Sequence, residues 1–156
     1  MLQIDIPGFG ALKLDHLVCD FTGTLSVDGQ LLPGVRELFE ELSASLTIHV
    51  VTADTFGRAQ KELSESPCVV TVLTGQNIDT QKEQYVKDLN AVCVVAIGNG
   101  ANDRRMLNVS RLSIAVIESE GCAVDAILNA KILARSIQEA LSLLLNPQRI
   151  VATLRL

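Results

Sequence analysis

Tryptophan is absent, and only five of the 156 residues are aromatic, four Phe and one Tyr. Base-stacking platforms and aromatic cages have almost nothing to be built from, and the core must be aliphatic. Basic charge is also scarce. The chain has 13 Lys and Arg against 18 Asp and Glu, a net −5, which argues against a nucleic-acid partner. No apolar run approaches the roughly 20 residues that cross a bilayer as a helix, and residues 1–10 have neither a charged leader nor a continuous apolar stretch. The expectation is a soluble, cytoplasmic protein without membrane insertion. Cys19, Cys68, Cys93 and Cys122 occur singly, without the C-x-x-C spacing of a zinc or redox site, and are expected to be reduced thiols. Repeats, low-complexity tracts and Pro/Ser-rich linkers are missing too. With 48% apolar content available for one core, residues 1–156 are expected to form one domain.

Short β-branched apolar runs are present, at 14–20, 46–52, 68–73, 91–98, 112–117 and 130–134, and they predict buried strands. Segments of helical period lie between them. Val35, Leu38, Phe39, Leu42 and Leu46 mark one face after Pro33-Gly34; Ile78, Tyr85, Val86 and Leu89 mark another, and Ile137, Ala140, Leu141 and Leu144 a third. Strands buried on both faces and alternating with helices predict an α/β protein: a Rossmann-like, three-layer α/β/α arrangement with a mostly parallel sheet. Leu2, Ile4 and Ile6 alternate with polar residues, and Pro7-Gly8 can turn the chain back through Ala11-Leu12-Lys13, which predicts an N-terminal β-hairpin. The segment 150–156 is expected to add an edge strand.

Sites in such sheets gather at the carboxyl ends of the strands. Three of the predicted strands end in polar residues: Cys19-Asp20 running into Phe21-Thr22-Gly23-Thr24-Leu25, Val51-Thr52, and Gly98-Asn99-Gly100-Ala101-Asn102-Asp103. A dinucleotide reading of the last is weak, because the third glycine of G-x-G-x-x-G is replaced by Asp103, whose charge would repel a pyrophosphate.

The hexapeptide Asp20 to Leu25 resembles the nucleophile motif of the haloacid dehalogenase superfamily, most of all the Asp-Lys-Thr-Gly-Thr variant of P-type ATPases. The other motifs follow in order. Thr52-Ala53-Asp54 is similar to the ATPase Thr-Gly-Asp, Lys82 precedes the fourth predicted strand, and Gly98 to Leu107 resembles the metal motif Gly-Asp-Gly-x-Asn-Asp-x-x-x-Leu. The resemblance implies a Mg2+-dependent phosphohydrolase of the phosphatase type, acting on a phosphoric monoester or acyl phosphate. Asp20 would form an aspartyl-phosphate, an activated acyl intermediate that water then hydrolyses. It further implies Mg2+ ligation by Asp20, the Thr22 carbonyl, Asn99 and Asp103. Gly23 and Thr24 would shape a turn whose amides receive phosphate oxygens, with Thr52, Ala53, Lys82 and Asn102 around the phosphoryl group. Lys61 and Lys87 compete with Lys82 for the role of neutralising cation.

Two residues depart from the family pattern. Thr22 stands where many phosphatases carry an acid–base aspartate, a loss worth about 10²–10⁴ in rate, so slow turnover is expected. Asn99 stands where the principal carboxylate ligand would be, and should weaken metal binding. The spacings from Asp20 to Thr52 and from Thr52 to Lys82 leave no room for a cap domain, only for a small flap at 25–32. A catalytically impaired regulatory or phosphate-binding domain, or a partner of a membrane ATPase, is therefore an alternative. The expected partner is a phosphorylated substrate, small molecule or macromolecule, with self-association left open.

Overall fold

The computed structural model describes residues 1–54 and 56–156. Its centre is a six-stranded sheet in the order β10-β9-β8-β3-β6-β7, parallel throughout. The strands are β3 (His16–Cys19), β6 (Thr47–Thr52), β7 (Cys68–Val72), β8 (Val94–Gly98), β9 (Leu112–Val116) and β10 (Ile132–Ala134). All six predicted runs form strands, shorter than the runs themselves. In the first run, residue 14 closes the hairpin of β1 (Leu2–Ile6) and β2 (Gly10–Leu14), whose register pairs Leu2 with Leu14 and Ile6 with Gly10. At the fourth, a 3-10 turn at Ala91–Cys93 precedes the strand.

The alternation of side chains explains the three layers. Leu17 and Cys19 of β3, Ile48 and Val50 of β6, and Val95 and Ile97 of β8 face one core together with Val35, Phe39, Ile137, Leu141 and the hairpin's Ile4, Ile6, Leu12 and Leu14. Val18, Val51, Val94 and Ala96 face the other, with Val86, Met106, Leu107 and Ala126. The first layer is therefore α1 (Val35–Ser43), α6 (Ile137–Leu145) and the hairpin, and the second is α3 (Ile78–Asp88), α4 (Arg104–Val109) and α5 (Val124–Asn129). A short helix α2 (Arg58–Glu62) and a two-residue hairpin, β4 (Ser26–Val27) with β5 (Gln30–Leu31), complete the region after β3 and β6. That small hairpin is the flap expected at 25–32.

One element differs in kind from its expectation. The segment read as an edge strand is helix α7 (Pro147–Leu154). Pro147 occupies the first helical turn, where its missing N–H costs nothing and its fixed φ favours helix. Ile150 is fully buried, Val151 and Leu154 pack beside it, and the Leu156 N–H reaches the Pro7 carbonyl at 3.1 Å.

Candidate active site

β3 is flanked by β6 and β8, so the order of the sheet reverses at β3 and opens a crevice beyond its carboxyl end. Asp20 is the first residue past β3, 5% exposed, with its N–H bonded to the Ile97 carbonyl of β8 at 3.0 Å. Its side chain meets two elements. Lys82, fully buried on α3, donates to Asp20 Oδ1 at 2.5 Å and to Asp103 Oδ1 at 2.7 Å. Asp103 Oδ2 accepts the N–H groups of Asn99 at 3.0 Å and Gly100 at 2.8 Å, which fixes the turn after β8. Gly98 is required here. A Cβ on it would lie 2.6 Å from the Asp103 carboxyl carbon, an overlap no rotamer relieves while Asp103 holds that turn.

Thr24 joins the remaining oxygens. Its buried hydroxyl lies 3.0 Å from Asn99 Oδ1 and 3.4 Å from Asp20 Oδ2. Asn99 Nδ2 donates to the Gly121 carbonyl at 3.0 Å, which leaves Oδ1 facing Thr24. Gly23, at φ 76, makes the turn between them; a Cβ there would meet Asn99 Nδ2 at 2.5 Å.

Burial pushes the Asp20 carboxyl up to about 6, the neighbouring Asp103 adds to the rise, and Lys82 partly offsets it. For Lys82, burial acts to lower the pKa, but the two carboxylates outweigh it and hold the ammonium above its ordinary value. One buried cation thus faces two carboxylates. Lys82 is itself held in place because Asp79 and Glu83 of the same helix pair with Arg104 and Arg105 of α4, the closest contact being Arg104 to Asp79 at 2.8 Å.

A cavity of about 740 Å³ opens over this cluster, with Asp20, Thr22, Thr52, Ala53, Asn99 and Asn102 on its wall. Asp20 Oδ2, Asn99 Oδ1 and the Thr22 carbonyl are hard oxygens of the kind Mg2+ takes. Among the described residues no backbone amide donates to the Thr22 carbonyl. The donor set fits the ion.

No family model matches the chain. An uncharacterized protein of Methanocaldococcus jannaschii is 45% identical over 62 residues, which are 40% of this chain and 67% of that protein, enough to make the two members of one family. Among solved structures, the cobalt-bound deoxy-D-mannose-octulosonate 8-phosphate phosphatase of Haemophilus influenzae superposes with a TM-score of 0.71 at 11% identity, over 91% of this chain and 93% of that one. The 3-deoxy-D-manno-octulosonate 8-phosphate phosphatase of Moraxella catarrhalis, in complex with magnesium, phosphate and KDO, gives 0.65 at 16%, over 91% and 94%. The chain shares its fold with haloacid dehalogenase hydrolases. A zinc-transporting PIB-type ATPase contains the same fold, at a TM-score of 0.64 and 20% identity over 79% of this chain and 20% of that one. At these identities the likeness is one of fold.

Within the haloacid dehalogenase frame, the chain carries no cap domain between β3 and β6 or between β6 and α3 among the described residues. Lys82 takes the place at Asp20. Lys61 lies on α2, and Lys87 pairs with Glu83 on the surface at 2.6 Å. The structure adds detail at two of the expected positions. The amides of Gly23 and Thr24 are bonded to the Ser26 and Phe21 carbonyls at 2.9 and 3.2 Å, whereas the N–H groups of Thr22 and Ala53, residues of the cavity wall, meet no acceptor among the described residues. Asp103 is 0% exposed and holds Lys82 through Oδ1 and the 99–100 backbone through Oδ2. Thr52 lines the wall, and its Oγ1 accepts the Asp54 N–H at 3.1 Å. Sequence reasoning missed Asp28, Arg58 and Glu120, which also line the cavity. Their only signal was that the segments carrying them follow strands that end beside Asp20.

Proposed function

We propose that this chain, as one unit over 1–156, is a Mg2+-dependent phosphohydrolase that works through a phosphoryl group carried on Asp20. The observation that supports it most is the buried Asp20–Lys82–Asp103 triad at the reversal point of the sheet, opening on a cavity with unpaired amides. Mg2+ would be held by Asp20, the Thr22 carbonyl and Asn99, and when bound it supplies positive charge to the phosphoryl oxygens. Lys82 keeps Asp20 oriented and offsets the charge that builds as the carboxylate attacks phosphorus. The N–H groups of Thr22 and Ala53 and the Thr52 hydroxyl receive the other phosphoryl oxygens. A P–O bond forms to Asp20 as the bond to the leaving oxygen breaks. That oxygen takes its proton from solvent, because Thr22 has none to give at neutral pH. Water then attacks phosphorus, releasing phosphate and restoring the Asp20 carboxylate. Without a positioned base at Thr22, this second step is slow. The motif Asp20-Phe21-Thr22-Gly23-Thr24 relates the chain to P-type ATPases, whose Thr stands at the same place.

Hydrolysis of acetyl phosphate and p-nitrophenyl phosphate with Mg2+, repeated on Asp20→Asn, tests the reading. The wild-type chain should turn over both and the variant neither; equal rates would remove Asp20 as nucleophile.

Thr22 and Asn99 favour a second reading, a regulatory domain that accepts a phosphoryl group and seldom releases it. Beryllofluoride trapped with Mg2+ by a chain of negligible turnover would select this reading over the first.

A further inference from the structure

At the Asp20 site one ammonium, Lys82, faces two carboxylates, and Asp103 turns its oxygens to Lys82 and to the 99–100 backbone. Asn99 brings no charge. A divalent cation bound by Asp20 and Asn99 would therefore face little net negative charge from the residues that touch it.

The loop between β9 and α5 carries another carboxylate to the same wall. Glu120 lines the cavity with Asp20, Thr22 and Asn99. Its Oε1 accepts the Asp28 N–H from the tip of the β4–β5 hairpin at 2.8 Å. Its Oε2 has no partner among the described residues and stands 3.0 Å from the point where a Cβ on Gly23 would lie, a point 2.5 Å from Asn99 Nδ2. The Glu120 carboxylate and the Asn99 amide thus close on one spot beside Gly23. Four acids stand on this wall, Asp20, Asp28, Asp54 and Glu120, and Asp54 is committed elsewhere: its two oxygens accept the N–H groups of Phe56 and Ala59 at 3.1 and 2.9 Å.

Asn99 and Glu120 are also mechanically linked. Asn99 Nδ2 donates to the carbonyl of Gly121, the residue next to Glu120. An aspartate at 99 has no N–H for that bond and would turn an oxygen toward the carbonyl. The amide at 99 therefore gives up a charge and in exchange anchors the loop that brings one.

Building on the proposed function, we propose that Glu120 supplies the negative charge missing at Asn99, acting as the positioning residue that sets the affinity of the Asp20 site for a divalent cation. It acts through space or through a cation-bound water from the solvent side of the cavity.

Isothermal titration of Mg2+ into the substrate-free chain reads this without reference to turnover. Glu120→Gln keeps an oxygen for the Asp28 N–H and removes only charge, so the hairpin clamp survives and unfolding without Mg2+ should match the wild type. The variant should bind Mg2+ at least about tenfold more weakly, the scale seen when residues supporting metal ligands are changed. Adding Asn99→Asp to it should recover most of the loss, and the wild-type advantage should shrink in about 1 M KCl, where exposed charges are screened. If the wild type takes up no Mg2+ at millimolar concentration, the reading of the Asp20 site fails and this proposal with it. If the wild type binds and Glu120→Gln binds equally well, the site stands and the role of Glu120 is overturned.

Discussion

In the proposed mechanism Thr22 is the residue that most limits turnover. It is exposed on the cavity wall two residues past Asp20, where a carboxylate could reach the leaving group. Thr22→Asp should raise kcat for p-nitrophenyl phosphate by about 10²-fold or more, the usual worth of a positioned acid–base group; an unchanged kcat would mean that proton transfer does not limit turnover. Asp20, Thr52, Lys82 and Asn99 were legible in the sequence because their motifs come in a fixed order at the ends of recognisable strands. The engagement of Asp103 was not. It depends on two backbone amides swinging onto one carboxylate, a matter of turn geometry that residue types do not encode. Glu120 was hidden for another reason: it lies 100 residues from Asp20 on a loop with no motif, and only the folded sheet brings the two to one cavity.

The elements were read correctly where pattern and composition agreed, as in the six strands and in α1, whose predicted face includes the buried Val35, Phe39 and Leu42. The segment 150–156 was misread because Ile150, Val151 and Thr153 are β-branched and favour strands locally. The spacing of Ile150, Val151 and Leu154 together with Pro147 favours a helix, and packing against the N-terminal hairpin decides the matter. Ile150→Ala should therefore cost about 2–5 kcal/mol in urea unfolding, as for other large-to-small core changes. A loss under half a kilocalorie, the scale of an exposed site, would contradict the docking of α7. The salt-bridged pairing of α3 with α4 was equally unreadable, yet it ties the helix that carries Lys82 to α4.

At the scale of the whole molecule, the sheet also buries a small polar chain away from the site. His49 of β6 is buried, with one ring nitrogen 3.1 Å from His16 of β3 and the other 3.0 Å from the Tyr85 hydroxyl of α3. Burial, and then the neighbouring His16, hold its pKa below the ordinary 6.5. The unfolded chain therefore binds a proton that the folded one refuses, and the stabilisation from neutral His49 is complete above pH 6.5 and lost as pH falls through the lower, folded value. Melting temperatures should drop less for His49→Gln than for the wild type on going from about pH 7.5 to about pH 5; equal drops would remove His49 as the cause. In the proposed mechanism the sheet delivers Asp20 to phosphorus at the crevice beyond β3. Borohydride reduces an acyl phosphate to the alcohol, so quenching the chain during turnover of acetyl phosphate and Mg2+ and mapping its peptides reads the intermediate directly. The account predicts homoserine at position 20; sustained hydrolysis with an unmodified Asp20 under the same quench would contradict it.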